Sequence, residues 1–436
     1  MSVSVLPPEI WRIIFSFATD FEHSSRNDNE SRQCMNPCKT VPQDDATILA
    51  YRTVRFNTAK NLCLVSRQLH QTAIETLFEV VFVSSHRTAC RLAKLLAQND
   101  RLGNYIKQLF LTVDDNSTQS DTEQRIFKDS VISIVRGARR LEAFQINCGS
   151  STPEWREFEE NVVDSLPTPS NTRHFRWNST GSSFLQSSGG SLTRFFHRAK
   201  NNLESIELTG FFPYPDISPG YSSSDKGEEE RTYPALKRLK LSRFYHCDLA
   251  LLGSWDITEN LVCLEIGTIW SYIDSREASA PFFQSTHPNL RCIHIGQEAA
   301  NICPSLAKNL LASAPKLEVM EYFVLGTWTS YIWDDAEHDN VQDLDISLSH
   351  SSNDRRSLFR EGGIQRDQRL DLLQMHLVSA SHCFPSLKHI RLRLIVTEGL
   401  GGSEFGDWFK ESVCKILHPY SAVKIIPVIT VRDEST

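Results

Sequence analysis

One short motif recurs through most of this chain, from about residue 106 to residue 395. It reads L-x-x-L-x-L with other apolar residues tolerated at the leucine positions. The clearest copies are IKQLFL (106–111), LEAFQI (141–146), LESIEL (203–208), LKRLKL (236–241), LVCLEI (261–266), LRCIHI (290–295) and LKHIRL (387–392). Weaker copies are TRHFRW (172–177), LEVMEY (317–322) and VQDLDI (341–346). Successive copies start 24 to 35 residues apart, with a last gap of 46. Each core is short and alternating, the pattern of a strand buried on one face. Helical stretches precede several copies: 130–140, 192–200, 302–313 and 370–382. Pro234, Pro288, Pro315 and Pro385 stand just before their strands, where proline ends the helical side.

One helix and one strand at this period is the sequence signature of a leucine-rich-repeat solenoid. A single unit cannot bury its apolar face, so neighbours must stack. The competing reading is an ordinary α/β domain whose strands happen to begin with leucine. The repeats are irregular, and the asparagine of the standard repeat consensus is mostly missing, so long and uneven units are expected. Segments 20–57, 149–171, 179–191, 215–232 and 349–368 are rich in Ser, Asn, Gly, Pro or mixed charge and read as loops or disordered insertions. Segment 80–98 reads as a strand, VVFV, followed by an amphipathic helix with Ala89, Leu92, Leu95 and Leu96 inward.

The N-terminus carries a different pattern. In LPPEIWRIIFSFA (6–18), Pro7 and Pro8 suit a helix entry and Glu9 its first turn. Ile10, Ile13, Ile14 and Phe17 share one helical face, and Trp11 and Phe15 widen it. A helix apolar on two sides needs two covers, and one can be a partner helix. In NLCLVSRQLHQTAIETLFE (61–79), Leu62, Val65, Leu69 and Ala73 share a face that Ile74, Leu77 and Phe78 continue, and Ser66 is placed to cap a helix starting at Arg67. Spacing alone fits two core helices of any α-rich domain.

The order of the two pieces resembles the F-box of large fungal receptor families, over about eighty residues. The resemblance implies a small all-α F-box at 1–79, interrupted by a polar insertion at about 20–57, and an irregular leucine-rich-repeat-like solenoid at 80–432. It also implies a partner, the Skp-type adaptor of an SCF-type cullin-RING ubiquitin ligase, and through it the cullin. Leu6, Pro7, Pro8, Ile10, Ile13, Ile14, Leu62, Val65 and Leu69 would make the adaptor contact. Leu69 stands where many F-boxes carry Trp. The insertion of almost forty residues is tolerable, because closure entropy grows slowly with loop length.

Composition removes several classes. Net charge is −7, and no run of five Lys/Arg appears, so nucleic acid is not an expected partner. No window approaches eighteen consecutive apolar residues, so a membrane span is not expected. MSVSVLPPEIW lacks a basic n-region and an apolar h-region, and Ser2 excludes myristoylation. Eleven cysteines without framework spacing fit reduced, buried thiols in the cytoplasm or nucleus. P-loop, dinucleotide and G-x-S-x-G motifs are absent. Cys34 and Cys38 with His23 lack the paired ligands of structural zinc, and adjacent His382 and Cys383 point apart on a helix. No catalytic set, cofactor or metal is expected.

The residue between the last two apolar positions of each copy lines the inner, concave surface of such a solenoid. That column reads Phe110, Gln145, Arg176, Glu207, Lys240, Glu265, His294, Glu321, Asp345 and Arg391. Its mixed charge suits a folded protein or peptide as ligand. Glu207, Lys240, Glu265, His294, Glu321, Asp345 and Arg391 are the candidate contacts, with Trp328, Tyr331 and Trp333 of WTSYIWDD (328–335) as candidate aromatic anchors. The expectation is a substrate-recognition subunit of a ubiquitin ligase that binds an unknown protein substrate and catalyses nothing itself. A leucine-rich-repeat scaffold whose first helices only cap the array is the alternative. A hydrolase would need Cys, His and acidic side chains converging at one place.

Overall fold

A computed structural model of the chain describes residues 57–58, 60–61, 64, 67–113, 120–148, 153–167, 171–179, 191–210, 233–242, 244–245, 259–267, 269–270, 287–296, 304–324, 337–350, 364–397 and 424–432, some of them by backbone alone. The chain divides into two compact units, Met1–Glu207 and Leu208–Thr436.

Among the described residues of the first unit, helix α1 (Arg67–Glu79) starts where the sequence placed it and runs into strand β1 (Val80–Val83). Helix α2 (His86–Gln98) follows, capped by the Ser85 side chain on the Thr88 amide. Strands β2 (Gln108–Val113), β3 (Ala143–Cys148), β4 (His174–Ser179) and β5 (Ser205–Gly210) follow in parallel and in sequence order. Helices α3 (Asp121–Gly137), α4 (Pro153–Ser165) and α5 (Ser191–Ala199) form their crossovers. A reciprocal capping box between Ser120 and Glu123 opens α3.

In the second unit, parallel strands β6 (Arg238–Ser242), β8 (Cys263–Ile266), β10 (Cys292–Ile295), β11 (Val319–Val324), β12 (Asp343–His350), β13 (His389–Thr397) and β14 (Lys424–Arg432) also follow chain order. Short strands β7 (Phe244–Tyr245) and β9 (Ile269–Trp270) pair separately. Helices α6 (Pro304–Ser313) and α7 (Ile364–Cys383) precede β11 and β13. Each unit is therefore an α/β stack of strand–helix repeats on a parallel sheet.

The motif explains the stacking. Every copy forms a strand, and its first, fourth and sixth positions are buried. Leu261, Leu264 and Ile266 are all at 0% exposure, as are Leu290 and Ile293. Burying one such side chain contributes about 1.5–3 kcal/mol, and the repeat supplies three per unit. Position one of TRHFRW is polar, yet Thr172 is buried, and its hydroxyl donates to the Leu141 carbonyl at 3.2 Å. The fourth and sixth positions face the helices. Phe175 meets Phe195 and Phe196 of α5, and Tyr322 meets His376 of α7.

Backbone bonds at the second position set the register. The amides of Glu142 and Arg173 donate to the carbonyls of Lys107 and Glu142, and those of Arg291, Glu318 and Gln342 to Val262, Arg291 and Glu318. Asparagines add a side-chain ladder just ahead of the first leucine. Asn260, Asn289 and Asn340 donate to the carbonyls of Pro234, Glu259 and Pro315 at 2.8, 2.6 and 2.7 Å. Their position lies outside the usual consensus, so the motif search passed over them.

The structure departs from the sequence reading at four points. Segment 149–171 is not all loop: α4 fills 153–165, with Trp155, Phe158, Val162 and Val163 buried. Its helical spacing is masked by the charged residues that fill its outer face. Leu95 is 41% exposed, because Ala89 and Leu96 suffice to cover the sheet side of α2. Strand β14 was not anticipated, because Pro427 interrupts its pattern, but β14 ends the sheet order and an end strand has spare amides. Helix α3 also begins at Asp121, nine residues ahead of the expected 130.

Candidate functional site

The face of the sheet opposite the helices carries positions three and five of each copy, because alternate residues of a strand share a face. Register confirms the column read from the sequence. Phe110 pairs with Gln145 and Gln145 with Arg176 in the first unit. In the second, Lys240, Glu265, His294, Glu321, Asp345 and Arg391 follow strand by strand. Position three forms a parallel column that the sequence reading did not single out: Arg238, Cys263, Cys292, Val319, Asp343 and His389.

Most charges of these columns are spent on one another. In the first unit Arg176 Nε meets Glu207 Oε1 at 3.2 Å. In the second, Glu265 accepts from Lys240 at 2.8 Å and from Arg238 at 3.2 Å, and its carboxyl is held below the usual range. Burial, the largest single influence, pushes the other way, and Lys240, His294 and Arg238 together outweigh it. Asp345 accepts from Arg391 at 3.1 Å, and Asp343 faces His389 at 2.7 Å. The acidic groups of the columns are thereby neutralised pair by pair, leaving a polar, zwitterionic face of mostly half-buried groups.

Between these pairs, two thiols and an imidazole come together among the described residues. Cys263 Sγ, Cys292 Sγ and a ring nitrogen of His294 lie within 4.8 Å of one another. Cys292 Sγ is 2.9 Å from His294 Nε2, and His294 Nδ1 is 2.6 Å from Glu321 Oε2. The hydrogen bond from Cys292 draws the Cys263 thiol well below its ordinary range, against burial and with help from His294 and Arg238. Burial alone would lower His294, but its bonds to Cys263 and Glu321 carry the imidazole well above its usual value. Such a set places a thiol inclined to ionise beside an oriented imidazole. It is also a donor set for a thiophilic cation.

The sequence pointed to His294, Glu321 and Glu265 as substrate contacts but not to the two thiols beside them. The cysteines sit 29 residues apart and one strand apart, so no local motif links them. Only alignment of LVCLEI on LRCIHI places Cys263 against Cys292.

The candidate anchors Trp328, Tyr331 and Trp333 lie outside the described residues, as do Leu6, Pro7, Pro8, Ile10, Ile13, Ile14, Leu62 and Val65. Leu69 is described by backbone alone, within α1. Cys34, Cys38 and His23 are also outside. Cys383 is buried and the neighbouring His382 exposed, as their helical positions require. No helix among the described residues is long and apolar enough to cross a membrane.

No family model matches the chain, and neither does any curated protein. Among solved structures, the crystal structure of the Rad7 and Elc1 complex in yeast is similar at 13% identity and a TM-score of 0.31, over 80% of this chain and 94% of that chain.

Proposed function

We propose that this chain is the substrate-recognition subunit of an SCF-type ubiquitin ligase. Its N-terminal F-box-like segment would dock a Skp-type adaptor and so a cullin, and the open sheet face would receive a protein substrate. The observation that carries the recognition half is the paired-charge column of Lys240, Glu265, His294, Glu321, Asp345 and Arg391. An extended polar face whose charges are mutually neutralised attracts neither a polyanion nor a hydrocarbon, and it matches the mixed surface of a folded protein. The ligase half rests on the order of LPPEIWRIIFSFA and NLCLVSRQLHQTAIETLFE. In this reading the chain catalyses nothing, and transfer occurs in trans by proximity. The described cysteines, Cys90, Cys148, Cys263, Cys292 and Cys383, are not joined in disulfides, which suits a cytoplasmic or nuclear setting.

The test is co-purification with a Skp-type adaptor, beside a variant carrying Leu6→Ala, Pro7→Ala and Leu62→Ala. A stoichiometric complex with the native chain, lost in a variant of unchanged circular dichroism, supports the reading. A well-folded native chain that captures no adaptor removes the ligase role and leaves a scaffold.

A further inference from the structure

We propose that Cys263, Cys292 and His294 form a zinc site on the open face of the second unit, with Glu321 as the group that orients the histidine. Two thiols and an imidazole are a borderline-soft donor set, and zinc sites use them with three protein ligands when a fourth position is left for water or another donor. The fourth donor here is water or a side chain of a docked protein. The site therefore stands whether or not the chain docks an adaptor.

Four observations carry it. First, the donors converge: all three ligand atoms fall within 4.8 Å of one another. Tetrahedral zinc, with bonds of about 2.0–2.3 Å, spaces its ligands by about 3.6 Å. The 2.9 Å gap between Cys292 Sγ and His294 Nε2 has to open by about 0.7 Å, and no donor pair has to close by more than about 1.2 Å.

Second, the donors stand on rigid elements. Cys292 and His294 are alternate residues of β10 and so share a face, and Cys263 is the register partner of Cys292 on β8. Third, the histidine is already aimed. Its Nδ1 is held by Glu321 Oε2 at 2.6 Å, which leaves Nε2 toward the thiols, the carboxylate–histidine arrangement that supports metal-bound imidazole. Fourth, the local charge balances. Glu265 and Glu321 together answer Arg238 and Lys240, and a divalent cation with two thiolates adds no net charge to that group.

A nucleophilic cysteine is the rival reading, since Cys292, His294 and Glu321 lie in a line. A nucleophile needs one sulfur with an open path. It leaves unexplained the second thiol, Cys263, which is buried against the first.

The experiment uses the full chain, stripped with a chelator under a non-thiol reductant and titrated with Co(II). Expected is one equivalent bound, with the visible bands of tetrahedral cobalt and a thiolate-to-cobalt charge-transfer band, both abolished by added Zn(II). The double variant Cys263→Ser and Cys292→Ser should lose the charge-transfer band while keeping native circular dichroism. His294→Gln keeps both thiols and should bind far more weakly, and Glu321→Gln should weaken binding about 10- to 100-fold. A variant with Cys34→Ser and Cys38→Ser should keep the spectrum. The proposal is overturned if the native chain gives no charge-transfer band. It is equally overturned if the band survives in the double serine variant, or if mass spectrometry finds a Cys263–Cys292 disulfide in place of metal. Selective alkylation of Cys292 that Zn(II) does not slow would favour the nucleophile instead.

Discussion

His294 and Glu321 face each other across neighbouring parallel strands, Nδ1 to Oε2 at 2.6 Å, and both side chains are about a quarter exposed or less, at 26% and 20%. Two strands further on, His389 and Asp343 make a similar contact at 2.7 Å, but at 46% and 35% exposure. Solvent screening separates the two. Glu321→Ala should cost about 2 kcal/mol, the scale of a shielded hydrogen bond to a charged group. Asp343→Ala should cost about 0.5 kcal/mol, the scale of a surface pair. Urea denaturation of both variants in metal-free buffer checks the contrast, which fails if the two losses are equal.

Gly103 packs on the C-terminus of α3 so closely that a Cβ there would lie 2.1 Å from the Gly137 carbonyl oxygen. Gly103→Ala must push two backbone segments apart and should cost about 2 kcal/mol or more. At Gly137 the nearest atom to an added Cβ is Leu96 Cδ1 at 3.5 Å, an ordinary contact. Gly137→Ala ends a helix without strain and should be neutral or stabilising by up to about 1 kcal/mol. Thermal melts of the pair should move apart, and a Gly103→Ala melt equal to wild type would contradict the contact.

Phe175 stands among four aromatic rings, with centroids 5.0 Å from Phe195, 5.2 Å from Phe196, and 5.8 Å from Phe144 and from Trp177. Phe175→Ala leaves a cavity that neighbours in a rigid sheet cannot close, and the expected loss is about 3–5 kcal/mol. Leu95→Ala, at a position 41% exposed, should change stability by less than about 0.5 kcal/mol. Chemical denaturation of the two variants distinguishes core from surface. Equal losses would mean that the aromatic cluster is not what holds α5 to its sheet.

His376 lies on the buried side of α7 with Nδ1 3.3 Å from Tyr322 Oη, and burial holds its imidazole down to about 4. In the unfolded chain it titrates near the ordinary value of about 6.5. Between these values the unfolded chain binds a proton that the folded chain does not, so stability rises with pH in that window. It is intact above about pH 6.5 and falls by up to about 1.4 kcal/mol per unit toward pH 4, about 3 kcal/mol in all. His376→Gln should flatten that part of the stability–pH curve. Parallel curves for wild type and variant would show that another group carries the acid sensitivity.

The strands were readable because the leucine positions report burial directly. Even the weak copies TRHFRW, LEVMEY and VQDLDI formed strands, since Phe175, Met320 and Leu344 satisfy the same packing site. Helix α4 was hidden because Glu157 and Glu160 on its outer face lower the average hydrophobicity of a segment whose inner face is Trp155, Phe158 and Val162. The outward column was legible at position five, including His294 and Glu321. What escaped was the pairing within it. Charge read along the strand order suggests an acidic stretch, whereas side chains one strand apart cancel, as Lys240 and Glu265 do. The thiol cluster escaped for the same reason: proximity across strands is set by repeat register, not by distance along the chain.

That register makes each repeat behave as a cassette. The crossover between Cys263 and Cys292 can grow or shrink without moving either sulfur, because β8 and β10 are matched by their own backbone ladder. Removing one residue inside Cys292–Ile295 would instead turn His294 from the open face to the helix side. Variation in such a chain is therefore unequal by place. Loops can drift freely in length while the outward letters of each strand are inherited as fixed text, and a new site can arise by exchanging two letters in adjacent cassettes.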